Sequence, residues 1–273
     1  MYSSYNRYKS RSSSPSKKAI IVSLIILVSV IYSTKSFFFD DIANASAGDL
    51  SKDQVEKIVK EVIKNNPELI IESLKSAQEK EMKEFQEKSK LAAQSKRGEL
   101  EDTKHTPFEG PNNADITIVE FFDFRCGYCH VAHKTLKQLL TIDKNVKVIY
   151  KSFPILGEDS DFAARSALAI YEMEPKKYHI FHDKLMEAKP INKESIHKII
   201  AELGIDQQLF DNAVNKDSIK ESLAKTGTLA REIQINGTPA FIINGQVISG
   251  GALDVESLKA TIAEIRKNNL KQK

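Results

Sequence analysis

The sequence predicts an α/β fold in which a βαβ unit, a helical insertion and a ββα unit follow one another, preceded by an extended helical amino-terminal region. Three observations predict this order. A run of β-branched and aromatic residues at 115–124 leads directly into a helical pattern. Helical periodicity then fills about 158–234, and an Asn-Gly hairpin signal separates two short strand-like runs within 235–249.

The composition narrows the class of protein before any motif is considered. The chain has 273 residues, with 40 Lys+Arg against 37 Asp+Glu, enough for one or two domains at roughly 100–200 residues each. Its 41% hydrophobic and 28% charged residues exclude a multi-span membrane protein and a fully disordered chain. Residues 1–36 carry six basic and no acidic side chains, so the positive excess of the chain lies in this segment and the remaining residues have no net positive charge. The composition therefore gives no support to a nucleic-acid partner.

The amino terminus has the pattern of an export segment. Polar and basic residues at 1–18 precede the apolar run Ala19–Tyr32, the order found in signal peptides. As a helix this run reaches about 21 Å, short of the ~30 Å hydrocarbon core of a membrane. Small residues at Ala43-Asn44-Ala45 favour cleavage there, whereas Phe37–Phe39 leave open an uncleaved membrane anchor. We expect 1–45 to carry the rest of the chain out of the cytosol, by a cleaved signal in preference to an anchor.

A charged helical region follows at 46–94. Ser51 and Gln54 have the spacing of a capping box, and an apolar face then recurs with helical period at Val55, Ile58, Val59, Val62 and Ile63. Asn66-Pro67 begins a second helix that we expect to reach about Gln94. This region is either a solvated spacer or, through 50–94, a stalk that joins copies of the chain. Residues 95–113 carry turn formers without periodicity and are predicted to be a linker to a globular domain at 114–273.

The chemistry lies at a strand–helix junction. The predicted strand Asp115–Phe124 is followed at once by Cys126-Gly127-Tyr128-Cys129 and a helical pattern. The sulfur of Cys126 would then lie at a helix amino terminus, where the dipole and the free N–H groups favour a reactive thiolate. Cys129, one turn inside, could attack a mixed disulfide formed on Cys126. We predict a redox pair with one exposed and one shielded sulfur.

The two cysteines allow three other interpretations: a haem attachment site, a zinc site and a structural disulfide. Cys126-x-x-Cys129-His130 matches the attachment motif of c-type haem, but a strand–helix junction supplies neither a haem-sized pocket nor a second axial ligand. Zinc could use both thiols with His130 or His133, yet structural zinc takes ligands from two separated segments and the chain has no other cysteine. A purely structural disulfide would close only a four-residue loop and contribute little. We therefore expect a redox pair with no metal and no cofactor.

The later elements complete the predicted order. Val146–Ile155 is a second strand, and the helical insertion follows it. A third strand begins at Pro239, turns at Asn244-Gly245 and returns as Gln246–Ser249. A final amphipathic helix begins after Asp254.

These motifs in this order resemble the thioredoxin superfamily, and within it the DsbA-like branch of bacterial periplasmic thiol–disulfide oxidoreductases. The resemblance rests on Val119–Phe124 before Cys-Gly-Tyr-Cys-His and on Gly237–Phe241 late in the chain, and it covers about 115–268. With the helical region included, the whole chain is similar to the suppressor-of-copper-sensitivity C type, whose amino-terminal helices assemble oligomers. The resemblance implies a thioredoxin fold.

The resemblance also implies roles for residues around the cysteines. Pro239 would be a cis-proline beside both sulfurs, with the Thr238 backbone pairing to a substrate strand. Glu120 would be a buried carboxylate that exchanges protons with Cys129, although a solvent-facing strand position is the plain alternative.

The dipeptide between the cysteines would set the reduction potential of the pair. Here it is Gly127-Tyr128, rather than the Pro-His of the strongest oxidants, and the residue after the pair, His130, would shape the helix start. Thr238 before the proline resembles isomerases and reductases more than dedicated oxidases.

The resemblance implies a periplasmic enzyme that forms or exchanges disulfides in cysteine-containing exported proteins, with a membrane redox partner that resets the pair. An isomerase or reductase of the same fold remains open. From other classes, a c-type haem electron carrier and a non-catalytic thioredoxin-like binding module remain open as well.

Overall fold

The computed structural model describes residues 51–249 and 254–271. The predicted export segment, 1–45, lies outside the described residues. Within the described ranges, no helix combines the length and the apolar character needed to cross a membrane. The chain divides into two compact units, one ending at Lys75 and the other beginning at Ser76.

The described part of the first unit, 51–75, is helical, as predicted. Helix α1, Lys52–Asn65, begins with the expected capping box: the Ser51 hydroxyl accepts from the Gln54 N–H at 3.3 Å, and Gln54 Oε1 accepts from the Ser51 N–H at 2.9 Å. Helix α2, Pro67–Ser95, starts at the predicted proline and continues into the second unit. The apolar face of α1 is exposed over its length, at Val55, Ile58, Val59, Val62 and Ile63.

The second unit holds the α/β domain. After α2 its elements are helix α3 Arg97–Leu100, strand β1 Phe108–Glu109, strand β2 Ile116–Phe122, helix α4 Gly127–Ile142, strand β3 Val146–Ser152, helix α5 Glu158–Met173, a 3₁₀ turn Pro175–Lys177, helix α6 Tyr178–Glu187, helix α7 Lys193–Glu202, helix α8 Gln207–Ala213, helix α9 Asp217–Glu232, strand β4 Ala240–Ile243, strand β5 Gln246–Ser249 and helix α10 Val255–Lys271. The predicted order of βαβ, insertion and ββα is confirmed.

Within the part of the chain that the structure describes, five strands form one mixed sheet in the order β1-β3-β2-β4-β5. Strand β2 runs parallel to β3 and antiparallel to β4, so Glu120 has Tyr150 on one side and Phe241 on the other. The hairpin between β4 and β5 turns at Asn244 and Gly245, which both have positive φ as this turn requires.

The central strand β2 is buried on both faces of the sheet. Because side chains alternate along a strand, Ile118, Glu120 and Phe122 face one side, and Val119 and Phe121 face the other. The first side packs against α4, α10 and the insertion helices α5 to α8, while the second packs against α9 and the segment that contains α3. Glu120 therefore lies within the core that α4 covers.

The segment predicted to be a linker contains structure that the sequence did not reveal. Helix α3 buries Leu100 in the second core beside Ala93 of α2, and β1 pairs with β3 through Phe108 and Ile149. The Ser89 hydroxyl, also on α2, donates to the Ile233 carbonyl at 2.6 Å. Strand β1 has only two residues, which is too short to show an alternation of apolar and polar side chains. The turn-forming residues around it therefore made the segment resemble a linker in the sequence.

Candidate active site

The two cysteines lie where strand β2 passes through a tight turn into helix α4. The Cys126 N–H donates to the Asp123 carbonyl at 3.0 Å, which closes the turn. Cys126 is the N-cap of α4, and its carbonyl accepts from the N–H groups of Cys129 at 3.0 Å and His130 at 3.2 Å. Its sulfur is thereby held at the helix amino terminus, as the sequence predicted.

The two sulfurs differ in exposure less than the sequence predicted. Both cysteines are free thiols; Cys126 is 8% exposed and Cys129 is 0% exposed. The expectation of a freely exposed Cys126 was wrong, because the loop before β4 lies against it. Cys126 is nonetheless the more accessible of the pair.

The loop that covers Cys126 contains the predicted cis-proline. The Thr238–Pro239 peptide bond is cis, and the Cys126 thiol donates to the Thr238 carbonyl at 3.3 Å. Pro239 is buried, whereas Thr238 is half-buried and Gly237 is exposed. The backbone just before the proline therefore lies at the surface, beside the Cys126 sulfur.

The thiol of Cys129 lies in a dry environment. Burial raises its pKa far above the usual range, and the nearby charges of Glu120 and Cys126 raise it further, while a backbone hydrogen bond at Asp123 partly opposes the rise. The Cys129 thiol therefore strongly favours its protonated form at neutral pH.

Glu120 is fully buried, as the resemblance implied. Burial raises the pKa of its carboxyl to about 8, because the charged form loses its hydration and gains no compensating partner. Among the described residues, neither of its carboxyl oxygens finds a hydrogen-bond partner. The side chain shares the core with Cys129, so a carboxyl that can gain or lose a proton near neutral pH lies on the side of the sheet that carries the shielded thiol.

The residues around the cysteine pair have distinct positions. Tyr128 is 66% exposed beside Cys126, and a Cβ added at Gly127 would meet no atom within 4 Å. The His130 ring Nε2 donates to the Phe124 carbonyl at 2.5 Å. This bond ties the first turn of α4 to the end of the preceding strand, consistent with a role for His130 in shaping the helix start.

Asp123 organises the site, and the sequence analysis did not single it out. Its Oδ2 accepts from the N–H groups of Ile155 at 2.8 Å and Leu156 at 3.0 Å. Its Oδ1 accepts from the Arg125 N–H and the Ser160 hydroxyl, both at 2.8 Å. Asp123 is 1% exposed. It joins the active-site turn to the segment between β3 and α5, and only its bond to Arg125, two residues on, was readable from the sequence.

Exposed apolar side chains flank the junction. They include Tyr128 and Val131 on the first turns of α4, and Ile155 and Leu156 on the loop that Asp123 holds. Exposed apolar side chains that lie together on a surface are a feature of sites that contact other proteins.

Comparison with known proteins agrees with this geometry. Residues 117–263 match the family described as the DSBA-like thioredoxin domain. The chain is 30% identical over 171 residues to the probable disulfide bond formation protein D of Bacillus anthracis, covering 58% of this chain and 77% of that protein. A thioredoxin-like oxidoreductase from Silicibacter pomeroyi is 33% identical with a TM-score of 0.59, covering 63% of this chain and 98% of that structure. ScsC from Proteus mirabilis, in a transitional conformation, is 26% identical with a TM-score of 0.59, covering 78% and 95%.

Proposed function

The chain belongs to the DSBA-like thioredoxin domain family and is a protein thiol–disulfide oxidoreductase, and we propose that Cys126 and Cys129 are its redox pair. One observation carries this assignment. The more accessible cysteine is the N-cap residue of a helix and its thiol donates to the carbonyl before a cis-proline at 3.3 Å, while its partner is buried one turn further along. The proposed substrates are cysteine-containing exported proteins.

The exchange transfers two electrons in two steps. When the pair is oxidised, a substrate thiolate attacks the Cys126 sulfur, the bond between Cys126 and Cys129 breaks, and Cys129 leaves as a thiolate that takes up a proton. A second substrate thiolate then attacks the substrate sulfur of the mixed disulfide. The substrate disulfide forms, Cys126 leaves as a thiolate, and the pair has gained two electrons. In the reductive direction the same steps run backwards, and Cys129 must lose its proton before it attacks.

Glu120 is the proposed carrier of that proton. An acid or base transfers protons best when its pKa is near the working pH, and burial brings the pKa of Glu120 to about 8. The carboxyl and the Cys129 thiol share one buried core. A proton passed from Cys129 to ionised Glu120 leaves the number of buried charges unchanged, which avoids creating a second one.

Thr238 and Pro239 form the proposed substrate edge. The Thr238 carbonyl already accepts the Cys126 thiol, so it points towards the place where a substrate sulfur must arrive. An extended substrate segment could donate a backbone N–H to this carbonyl when the mixed disulfide replaces the thiol. Gly127 and Tyr128 would set the potential of the pair, and His130 would hold the helix start.

We place the enzyme in the periplasm, on the export pattern of 1–45. A redox protein of the membrane would restore the pair after each turnover. Formation, isomerisation and reduction of disulfides use the same two sulfurs, so the direction follows from the reduction potential relative to that partner.

The helical unit is the proposed site of self-association. Apolar side chains of α1 and the start of α2 are exposed with helical spacing, at Val55, Ile58, Val59, Val62, Ile63, Leu69, Ile70, Ile71 and Leu74. Faces of this kind, bordered by charged residues, are typical of helices that pair with copies of themselves. The proposed occupant is the same unit of a second copy.

An exchange assay tests the redox pair. Purified full chain is incubated with a protein that has scrambled disulfides, and separately with the reduced protein and oxidised glutathione. We expect the wild-type chain to accelerate recovery of the native disulfides in at least one of these two assays. The substitution Cys126→Ser should abolish the acceleration. Unchanged activity in Cys126→Ser would point to a binding module, and a Soret band on the purified protein would point to haem.

A further inference from the structure

A second cluster of reactive side chains lies outside the cysteine site. His133 on α4, together with His182 and Asp183 on α6, brings one potential ligand atom from each residue to within 4.8 Å of the others. His133 is one helical turn beyond Cys129 on the same helix. The proposed thiol chemistry uses none of these three side chains, and the zinc interpretation weighed from the sequence relied on the thiols instead.

The spacing of the cluster fits ligands around one ion. His133 Nε2 lies 3.3 Å from Asp183 Oδ1, and His182 Nδ1 lies 3.8 Å from the same oxygen. Good N–H···O hydrogen bonds are shorter, at about 2.7–3.2 Å. Two ligands that each lie about 2.1 Å from a tetrahedral Zn²⁺ are about 3.4 Å apart.

The surrounding protein fixes the histidine rings. His182 is 1% exposed, and its ring packs against those of Phe122, Phe124 and Tyr150 at centroid distances of 5.3, 5.4 and 4.8 Å. His133 is also buried, at 5% exposed, and its ring lies against that of His182 at a centroid distance of 5.1 Å.

The carboxylate is held so that one oxygen remains for the ion. Lys137 lies 3.1 Å from Asp183 Oδ2, which leaves Oδ1 towards the two rings. Lys137 also pairs with Glu109 at 3.2 Å, so a second carboxylate balances its charge. Metal-binding carboxylates are commonly oriented by such outer partners. Asp183 is partly exposed, which gives an ion a path from solvent.

We propose that His133, His182 and Asp183 form a binding site for a divalent transition-metal ion, with Zn²⁺ the best match to the ligands. Two imidazoles and one carboxylate suit Zn²⁺ and Co²⁺, and they leave a fourth position for water. The bound ion would clamp α4, which carries both cysteines, to α6 of the helical insertion.

Metal titration of a chain without thiols tests this site. The protein is the full chain with Cys126→Ser and Cys129→Ser and with no histidine tag, and the probe is Co²⁺, whose visible bands report its ligands. We expect one Co²⁺ per chain, displacement of Co²⁺ by Zn²⁺, and a rise in the unfolding temperature with Zn²⁺. The test is independent of the redox proposal because both thiols are absent.

Matched variants decide which residues bind. In the same background, His133→Gln and Asp183→Asn should each weaken binding at least tenfold and remove the Zn²⁺-dependent rise in unfolding temperature. His179→Gln, on the same helix as His182 but outside the cluster, should bind within about twofold of the parent. Circular dichroism without metal checks each fold, and Asp183 is exposed enough for Asp183→Asn to keep it. Failure of the parent to bind Co²⁺, or equal binding by Asp183→Asn, would overturn the proposal.

Discussion

Replacing Glu120 with glutamine should make the folded protein more stable at neutral pH. Burial raises the pKa of this carboxyl from 4.5 to about 8. Between these values the unfolded chain has lost the proton while the folded chain keeps it. The folded state therefore binds more protons, and the stability that depends on Glu120 falls as pH rises.

The magnitude follows from the pKa difference. Each unit corresponds to about 1.4 kcal/mol, so the penalty reaches about 3 kcal/mol at pH 7 and levels off near pH 8 at about 5 kcal/mol. Glutamine has nearly the same shape and no charge to bury. We expect the two proteins to have similar free energies of unfolding at pH 4.5. At pH 7 the free energy of unfolding of Glu120→Gln should be larger by about 3 kcal/mol.

Urea denaturation followed by circular dichroism measures this difference between pH 4.5 and 8. Both proteins carry Cys126→Ser and Cys129→Ser so that no thiol titrates. Val119→Ala, on the opposite face of the same strand, is the control, because its loss of packing should not depend on pH. The free energy of unfolding of Glu120→Gln minus that of the parent should rise with pH. A difference that is independent of pH, or that falls as pH rises, would refute the account of a buried carboxyl with a raised pKa.

Three further predictions concern other parts of the chain. Asp123→Ala should lower the free energy of unfolding by about 2–4 kcal/mol, because three partly buried N–H groups and the buried Ser160 hydroxyl lose their acceptor; in urea denaturation, a loss no larger than that of Ser160→Ala, about 1 kcal/mol, would contradict this. Tyr128→Lys should raise the reduction potential by about 5–20 mV in glutathione buffers, because a cation stabilises the thiolate form of Cys126; an unchanged or lower potential would count against it. Ile58→Lys should convert an oligomer into monomers in light scattering, and a wild-type chain that is already monomeric would rule out the stalk as an assembly surface.

The features that the sequence predicted are those encoded locally. The strand before Cys126, the helix after it and the hairpin at Asn244-Gly245 are each visible within about ten residues, and the structure confirms them. The cis bond at Pro239 and the burial of Glu120 were expected only from the resemblance to a family, because neither has a local signature.

The features that were missed depend on contacts between distant segments. The Thr238 carbonyl reaches Cys126 across 112 positions, which explains why the exposure of that sulfur was overestimated. The Asp123 carboxylate accepts hydrogen bonds from donors 32 to 37 positions away. The histidine cluster combines α4 with α6, and no spacing within either helix predicts it.

The most direct test of the central claim is to trap the mixed disulfide. Purified full-length Cys129→Ser is mixed with a peptide that contains one disulfide, and the products are analysed by non-reducing mass spectrometry. We predict a stable mixed disulfide between the peptide and Cys126, no adduct with Cys126→Ser, and complete release of reduced peptide by the reduced wild-type chain, whose Cys126 and Cys129 are oxidised to a disulfide. An adduct on Cys129 in Cys126→Ser, together with none in Cys129→Ser, would contradict the assignment of Cys126 as the attacking sulfur.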